Sequence, residues 1–87
     1  MTDLQFAVLD ALYFVEPYDR ILEEVGEPEH VVGAVLRELI ALRWVQPMRF
    51  DKASNDFVRS HVFDTDDLRA CHYLATKEGL LAHNGRR

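Results

Sequence analysis

The sequence has only one cysteine, no long apolar run and no basic residue near its beginning. Among its 87 residues there is a single cysteine, Cys71, so no disulfide can form within the chain and a reducing cytoplasm is the expected compartment. No apolar run approaches the ~18 residues that a membrane-spanning helix needs. The segment before the first apolar stretch contains Asp3 and no basic residue, unlike a signal peptide. We therefore expect a cytoplasmic protein with no membrane partner.

Motifs of catalysis and cofactor binding are also missing. No serine lies in a nucleophile turn, and no glycine-rich loop could hold a phosphate. Cys71, His72, His61 and Asp64 could be gathered into a metal site, but their spacing matches no zinc pattern. A cysteine at an alternating position in a strand is more often a small core residue than a metal ligand. We predict a protein that is not an enzyme and holds no metal or cofactor.

Charge is unevenly distributed along the chain. The net charge is −5, but residues 1–42 carry nine acidic and two basic residues, whereas residues 43–87 carry six acidic and eight basic ones. Such asymmetry indicates either a surface that meets a polyanion or a solvated acidic face. A chain of 87 residues has room for one domain, 1–87, with a modest core that burial against a partner could supplement.

The stretch from Ile21 to Val45 has the pattern of two helices joined by a tight turn. Gly26 suits the left-handed conformation that ends a helix, and Pro28 suits the first position of the next one. Apolar residues recur at helical spacing on both sides of the turn; those predicted as the core stripe of the second of these helices are Val32, Leu36, Leu39 and Leu42. This layout is that of a helix-turn-helix, at about residues 17–43. Gly33 inside the helix indicates either close approach of another group or a tolerated, unoptimised position.

The flanking segments predict a further helix and a β wing at about residues 44–75. A first helix is expected over Leu4–Val15, with apolar residues spread widely enough to serve either a core or another chain. Strands are expected over Trp44–Phe50, at a sheet edge because of Pro47, and over Phe57–Phe63. A polar turn is expected between them at residues 51–56, and a second polar turn follows at residues 64–67.

Two interpretations of the tail remain open on periodicity alone. In the first, residues 70–75 form a third strand and Thr76 begins a C-terminal helix at about residues 76–84. In the second, residues 65–83 form one long helix.

Two separated motifs resemble the MarR family of winged-helix regulators. Asp67-Leu68-Arg69 and, six residues later, Thr76-Lys77-Glu78-Gly79 are similar to the family's wing and the helix start that follows it. Residues 25–45 resemble its helix-turn-helix, and the two matches cover roughly residues 20–80. The resemblance implies an α+β winged helix, mainly α with a small β wing: a three-helix core, a β-hairpin or three-stranded wing, and a C-terminal helix. It also favours the strand interpretation of the tail.

The chain departs from the family in several ways. MarR proteins are longer and dimerise through terminal helices that are not found here. Their usual glycine before the wing strand is Arg43, and the wing segment carries extra residues. The wing arginine, which corresponds to Arg69, is the one family position carried over.

A DNA-binding transcriptional regulator, acting as a homodimer on double-stranded DNA, is the function these features predict. The start of the second helix of the helix-turn-helix would face base edges, and scattered cations would meet phosphates. The predicted nucleic-acid contacts are His30, Arg37, Arg43, Arg49, Lys52, Arg59 and Arg69.

The alternative is a winged-helix protein-interaction module that does not bind DNA. Its interface would use apolar residues beside the core stripe and on the first helix. The predicted interface residues are Val31, Ala34, Val35, Phe6 and Tyr13. These residues could instead be covered by the wing and the final helix.

Overall fold

The computed structural model describes residues 1–86, which form an α+β domain with four α-helices and a four-stranded antiparallel sheet. The elements are α1 (Asp3–Asp10), β1 (Glu16–Pro17), α2 (Tyr18–Val25), α3 (Glu29–Ala41), β2 (Val45–Asp51), β3 (Asp56–Arg59), β4 (His72–Ala75) and α4 (Lys77–Gly85). The strands lie in the order β1-β4-β2-β3. This confirms the predicted mixture of helices and a small sheet. Among residues 1–86, no helix has the length and apolar character that crossing a membrane requires.

The junction of α2 and α3 follows the predicted chemistry. Gly26 has a φ of 72°, and its N–H donates to the carbonyl of Leu22 over 3.0 Å. This left-handed conformation is open to glycine at little cost, which explains why α2 ends there. Pro28 immediately precedes α3 as its N-cap, one position earlier than predicted.

The core lies between the helices and the inner face of the sheet. Val32, Leu36 and Leu39 of α3 are fully buried, as predicted, but Leu42 is 51% exposed. The prediction for Leu42 was wrong because α3 ends at Ala41 and the chain turns before completing the stripe. The close approach at Gly33 is confirmed, since a Cβ there would lie 3.0 Å from the Tyr18 hydroxyl.

The first helix is shorter than predicted. It ends at Asp10 rather than Val15, because the following residues are held by the sheet. The carbonyl of Leu12 accepts a hydrogen bond from Ala75 over 3.0 Å, and Glu16–Pro17 pairs with β4 as strand β1. Long-range pairing therefore overrides the local apolar pattern.

Strand β2 is internal, contrary to the prediction that Pro47 would place it at an edge. It pairs with β4 on one side and β3 on the other. The carbonyl of Pro47 accepts from the N–H of Ser60 over 3.0 Å. The nitrogen of a strand residue points to the same side as its carbonyl, so the Pro47 nitrogen faces Ser60, just after the end of β3. The proline is tolerated because the ladder needs no N–H at this position. Strand β3 itself ends at Arg59, not at Phe63 as predicted.

The tail forms a strand followed by a helix, which excludes the single long helix. Thr76 caps α4 by accepting from the N–H of Gly79 over 3.1 Å. Its own N–H donates to the carbonyl of Trp44 over 2.9 Å, and its hydroxyl donates to that of Arg43 over 2.8 Å. The start of α4 is thereby fixed against the turn between α3 and β2.

Candidate binding surfaces

The first candidate surface lies at the beginning of α3. Three of the seven predicted nucleic-acid contacts, His30, Arg37 and Arg69, line one concavity of about 360 Å³. All three side chains belong to exposed residues. The carboxylates of Glu29, Asp66 and Asp67 share this lining, so the concavity contains both signs of charge.

Arg69 is engaged by two carboxylates of its own chain. Its Nε lies 2.9 Å from an oxygen of Asp19, and another guanidinium nitrogen lies 2.7 Å from an oxygen of Glu29. The guanidinium also stacks over the ring of Tyr18, at 5.2 Å from the centroid. The hydrogen bonds that Arg69 donates to the carboxylates of Glu29 and Asp19 raise the pKa of Arg69. A phosphate would have to compete with both carboxylates for this arginine.

The Tyr18 phenol beneath this surface is structural. Its hydroxyl donates to the carbonyl of Glu29 over 3.3 Å. Burial raises the pKa of Tyr18, and the negative charge of Glu29 raises it further. The neutral phenol therefore supports the first turn of α3 instead of offering a reactive group.

The exposed face of α3 is more acidic than basic. Arg37 is its only guanidinium, and the Nε of Arg37 already donates to the carbonyl of Thr65 over 2.8 Å. The other exposed residues of this helix are Glu29, His30, Ala34, Glu38 and Ala41. Two carboxylates thus accompany one guanidinium on the surface predicted to enter a DNA groove, and they would repel phosphates.

The β2–β3 hairpin does not gather its cations on one face. Met48 pairs with Arg59, and Arg49 pairs with Val58. Residues paired across antiparallel strands point to the same side, and the side alternates along each strand. Arg49 and Arg59 therefore project to opposite faces, while Lys52 lies in the turn between the strands.

The second candidate surface is a groove of about 1020 Å³ where α3, β2, the chain after β3 and the start of α4 meet. We call it the junction groove. Leu42, Trp44 and Phe63 contribute apolar walls. Its charged lining consists of Arg43, Arg59, Lys77 and Glu78. Within residues 1–86, none of these three cations makes a salt bridge.

Arg43 has an unusual backbone at the rim of this groove. Its φ is 62°, in the left-handed region that favours glycine. Hydrogen bonds explain why an arginine is held there: the Arg43 N–H donates to the carbonyl of Ile40, and its own carbonyl accepts from the Thr76 hydroxyl. This backbone joins α3 to β2 in a tight turn and lets Leu42 and Trp44 line the groove together.

The predicted interface residues Phe6, on α1, and Tyr13, after its end, both contact α4, although Tyr13 remains 40% exposed. The ring of Phe6 stacks on that of His83 with centroids 4.1 Å apart, and Tyr13 meets the same ring edge-on at 5.4 Å. His83 is fully buried, and its two nitrogens lie 2.8 Å from the Tyr13 hydroxyl and 3.1 Å from a carboxylate oxygen of Asp10. These contacts assign α1 to the domain's own packing.

On α3, too, fewer of the predicted interface residues are exposed than expected. Val35 is only 8% exposed and belongs to the core, so its assignment to a partner surface was wrong: the apolar strip beside the core stripe turns inward. Val31 is half-buried and Ala34 is exposed. Two small or half-buried side chains form a much smaller apolar area than the junction groove offers.

Comparisons with protein-family models, curated proteins and solved structures find no match for this chain. Within residues 1–86, no group of three or more His, Cys, Asp or Glu side chains is arranged to hold a metal ion. Cys71, considered for such a site, is buried at the core.

The sequence interpretation missed the junction groove as a site. It selected Arg43 and Arg59 singly, as phosphate contacts, and overlooked Leu42 and Trp44 by assigning them to a core stripe and a strand. The Thr76-x-x-Gly79 start of α4 was recognised, but its contact with the turn at Arg43 and Trp44 joins residues about 33 positions apart and has no local signal in the sequence.

Proposed function

We propose that this domain is a protein-interaction module of winged-helix type and that the junction groove is its binding surface. The observation that carries the proposal is the composition of the groove: cations that form no salt bridge within residues 1–86 lie beside exposed and half-buried apolar side chains. Protein interfaces combine an apolar centre with a polar rim. The exposed Leu42 and the half-buried Trp44 correspond to the centre.

The winged-helix assignment is supported by the element order. A three-helix core is followed by a hairpin, a returning strand and a C-terminal helix. The left-handed backbone of Arg43, at the position where the MarR family usually has glycine, also supports it. Fold resemblance does not determine function, so the choice of partner is argued from the surfaces.

The chemistry of the groove indicates an acidic segment with apolar residues as its occupant. Arg43, Arg59 and Lys77 outnumber Glu78 in the lining, so the local charge is positive in a protein whose net charge is −5. A carboxylate close to such cations steers association and fixes register. The apolar walls would supply most of the affinity by burial.

Selection from a random peptide library tests this proposal. Wild-type protein is expected to enrich peptides in which Asp or Glu flank Leu, Phe or other large apolar residues. A synthetic fluorescein-labelled copy of an enriched peptide is then titrated by anisotropy against wild type, Lys77→Glu and Lys52→Glu. We expect Lys77→Glu to weaken binding about tenfold, a typical effect of reversing a charge at an interface.

Lys52→Glu is the matched control. It makes the same change of charge on an exposed residue of the hairpin turn, away from the groove lining, and is expected to leave the affinity unchanged. Lack of enrichment, enrichment of basic peptides, or equal effects of both substitutions would each refute the groove as the binding surface.

DNA binding by α3 is the second candidate function. The observation that favours it is the convergence of His30, Arg37 and Arg69 on one concavity at the start of the helix. In that case Arg37→Ala should lower discrimination between a specific and a random duplex. Equal loss of affinity for both duplexes would exclude a base contact by Arg37.

A further inference from the structure

We infer that the partner bound in the junction groove is an acidic amphipathic α-helix, which continues from the groove along the outer face of the sheet to Phe50 and Phe57. This inference rests on the proposed function and names the conformation and the extent of the partner. The outer face is the side of the sheet that points away from the helical core. It carries Met48, Phe50, Phe57, Arg59, His72 and Leu74.

Strand pairing fixes which side chains share the outer face. Val45 and Tyr73 belong to the core, and side chains alternate between the two sides of a strand. The even-numbered residues of β2 and β4 therefore point away from the core. Phe57 and Arg59 of β3 pair with two of these residues, so their side chains point to the same side.

The outer face is more apolar than a sheet surface in water normally is. An antiparallel sheet with its core on one side usually carries polar residues on the other. Here Phe50 is 48% exposed, and its ring meets that of Phe57 with centroids 5.4 Å apart. Phe57 in turn meets the ring of His72 at 4.7 Å. Aromatic side chains are enriched in protein interfaces, where their large area is buried.

This aromatic cluster is continuous with the junction groove. Met48, Arg59 and Leu74 line the groove and also belong to the outer face. Phe50 follows Met48 on the same side of β2, about 7 Å further along the strand. A single partner can therefore contact the groove and the aromatic cluster together.

The charge of the outer face favours an acidic partner. The carboxylates of the strands, Glu16, Asp51 and Asp56, point to the opposite side of the sheet by the same alternation. Arg59 is exposed on the outer face and forms no salt bridge within residues 1–86. Its charge adds to those of the other two cations of the groove, so carboxylates beside the apolar residues of the partner would be attracted.

The backbone of the sheet explains why the partner is a helix. Gln46 and Met48 pair with Leu74 and His72, so the backbone groups beneath the middle of the face are already paired within the sheet. An extended segment lying on this face would find no backbone partner, and burying its unpaired groups would be costly. A helix pairs these groups internally. A helix of about nine residues covers the ~14 Å from Gln46 to Phe50.

Two synthetic peptides of identical composition test the conformation of the partner. Each is labelled with fluorescein and contains about 15 residues of Leu, Glu and Ala, a length at which a helix can form. In the helical peptide Leu recurs at every third or fourth position, and in the alternating peptide it occupies every second position, as in a strand. By anisotropy, wild type is expected to bind the helical peptide about tenfold more tightly.

Equal or tighter binding of the alternating peptide would overturn the inference. So would a lack of binding of either peptide at roughly 500 μM protein, because such weak affinity is below that of a specific partner.

A pair of phenylalanine substitutions tests the extent of the surface. Phe50→Ala is expected to weaken binding of the helical peptide about tenfold, as the loss of an aromatic interface residue does. Phe14→Ala is the matched control: Phe14 is 79% exposed and precedes β1, at the opposite edge of the sheet from β3, so the affinity should not change. Circular dichroism verifies that both variants are folded. Equal effects of the two substitutions would overturn the inference.

Amide chemical shifts of isotopically labelled wild type locate the contact without any substitution. On addition of the helical peptide, the signals of Phe50, Phe57 and His72 are expected to shift together with those of the groove lining. Shifts confined to the groove lining would overturn the extension onto the outer face and leave the proposed function standing. No shift anywhere, together with no enrichment from the peptide library, would reject the proposed function and the inference together.

Discussion

Replacing Gly79 by alanine should destabilise this domain, although alanine is the better helix former. Gly79 lies in the first turn of α4, and a Cβ at this position would come 2.1 Å from the backbone carbonyl oxygen of Trp44. Because the opposing atom belongs to the backbone, no rotation of a side chain can relieve the clash. The helix would have to move away from the turn between α3 and β2.

The expected magnitude follows from two opposing contributions. Overpacking costs about 1–3 kcal/mol, and a clash with a backbone atom belongs at the upper end of that range. Alanine recovers about 1 kcal/mol of helix propensity, which leaves a net loss of about 2 kcal/mol. For a domain of this size that loss corresponds to a decrease in Tm of roughly 8–16 °C.

Gly85→Ala provides the matched control in the same helix. A Cβ on Gly85 meets no heavy atom within 4 Å, so this substitution should be neutral or stabilising by up to about 1 kcal/mol. Urea denaturation followed by circular dichroism gives both free energies of unfolding. A Gly79→Ala variant as stable as Gly85→Ala would refute the close packing of α4 that forms one side of the junction groove.

Two further predictions concern buried polar side chains. His83→Ala should destabilise the domain by about 2–4 kcal/mol, because it opens a cavity and removes the contacts of a fully buried ring with Tyr13 and Asp10. Urea denaturation measures this free energy of unfolding. A loss below about 1 kcal/mol would contradict the packing of α4 on α1. Burial raises the pKa of Tyr73 above its ordinary value of 10.0, so its stabilising contribution is complete below pH 10 and is lost as pH rises through the higher folded-state pKa. Tyr73→Phe should therefore lessen the loss of stability above pH 10, while costing about 1 kcal/mol at neutral pH through the lost hydrogen bond to Leu68. Thermal unfolding at pH 7 and pH 11 measures both effects, and an unchanged alkaline dependence would contradict the assignment.

Local chemistry allowed several elements to be predicted from the sequence. Gly26 ends α2 because the left-handed conformation is cheap for glycine, and Thr76 begins α4 because its hydroxyl accepts an N–H of the first turn. The buried stripe of α3 follows from helical spacing alone. Each of these features depends on residues within a few positions of one another.

Features set by long-range pairing were not predictable in this way. The early end of α1 depends on the hydrogen bond between Leu12 and Ala75, which are distant in sequence. Pro47 occupies an internal strand only because β3 ends opposite it. The exposure of Leu42 follows from the end of α3 and from nothing in its own spacing.

The candidate binding surfaces were likewise predictable only where they depend on residues close together in the sequence. His30 and Arg37, on one helix, could be paired from the sequence, but the carboxylates that accompany Arg69 come from two other segments. The junction groove joins residues from three separate segments of the chain, 40–48, 59–63 and 74–78. Its cations were visible in the sequence, whereas their position beside Leu42 and Trp44 depends on the fold.

Fluorescence anisotropy of a labelled random-sequence duplex tests most directly whether this domain binds protein instead of nucleic acid. The purified protein is titrated at roughly 50 mM and roughly 200 mM salt, since electrostatic binding to DNA weakens steeply over that range. With Glu29 and Glu38 on the same exposed helix as Arg37 and with Arg69 held by Asp19 and Glu29, we predict no saturable binding at either salt concentration. Binding at the lower salt that is lost at the higher would contradict the account and favour DNA as the partner.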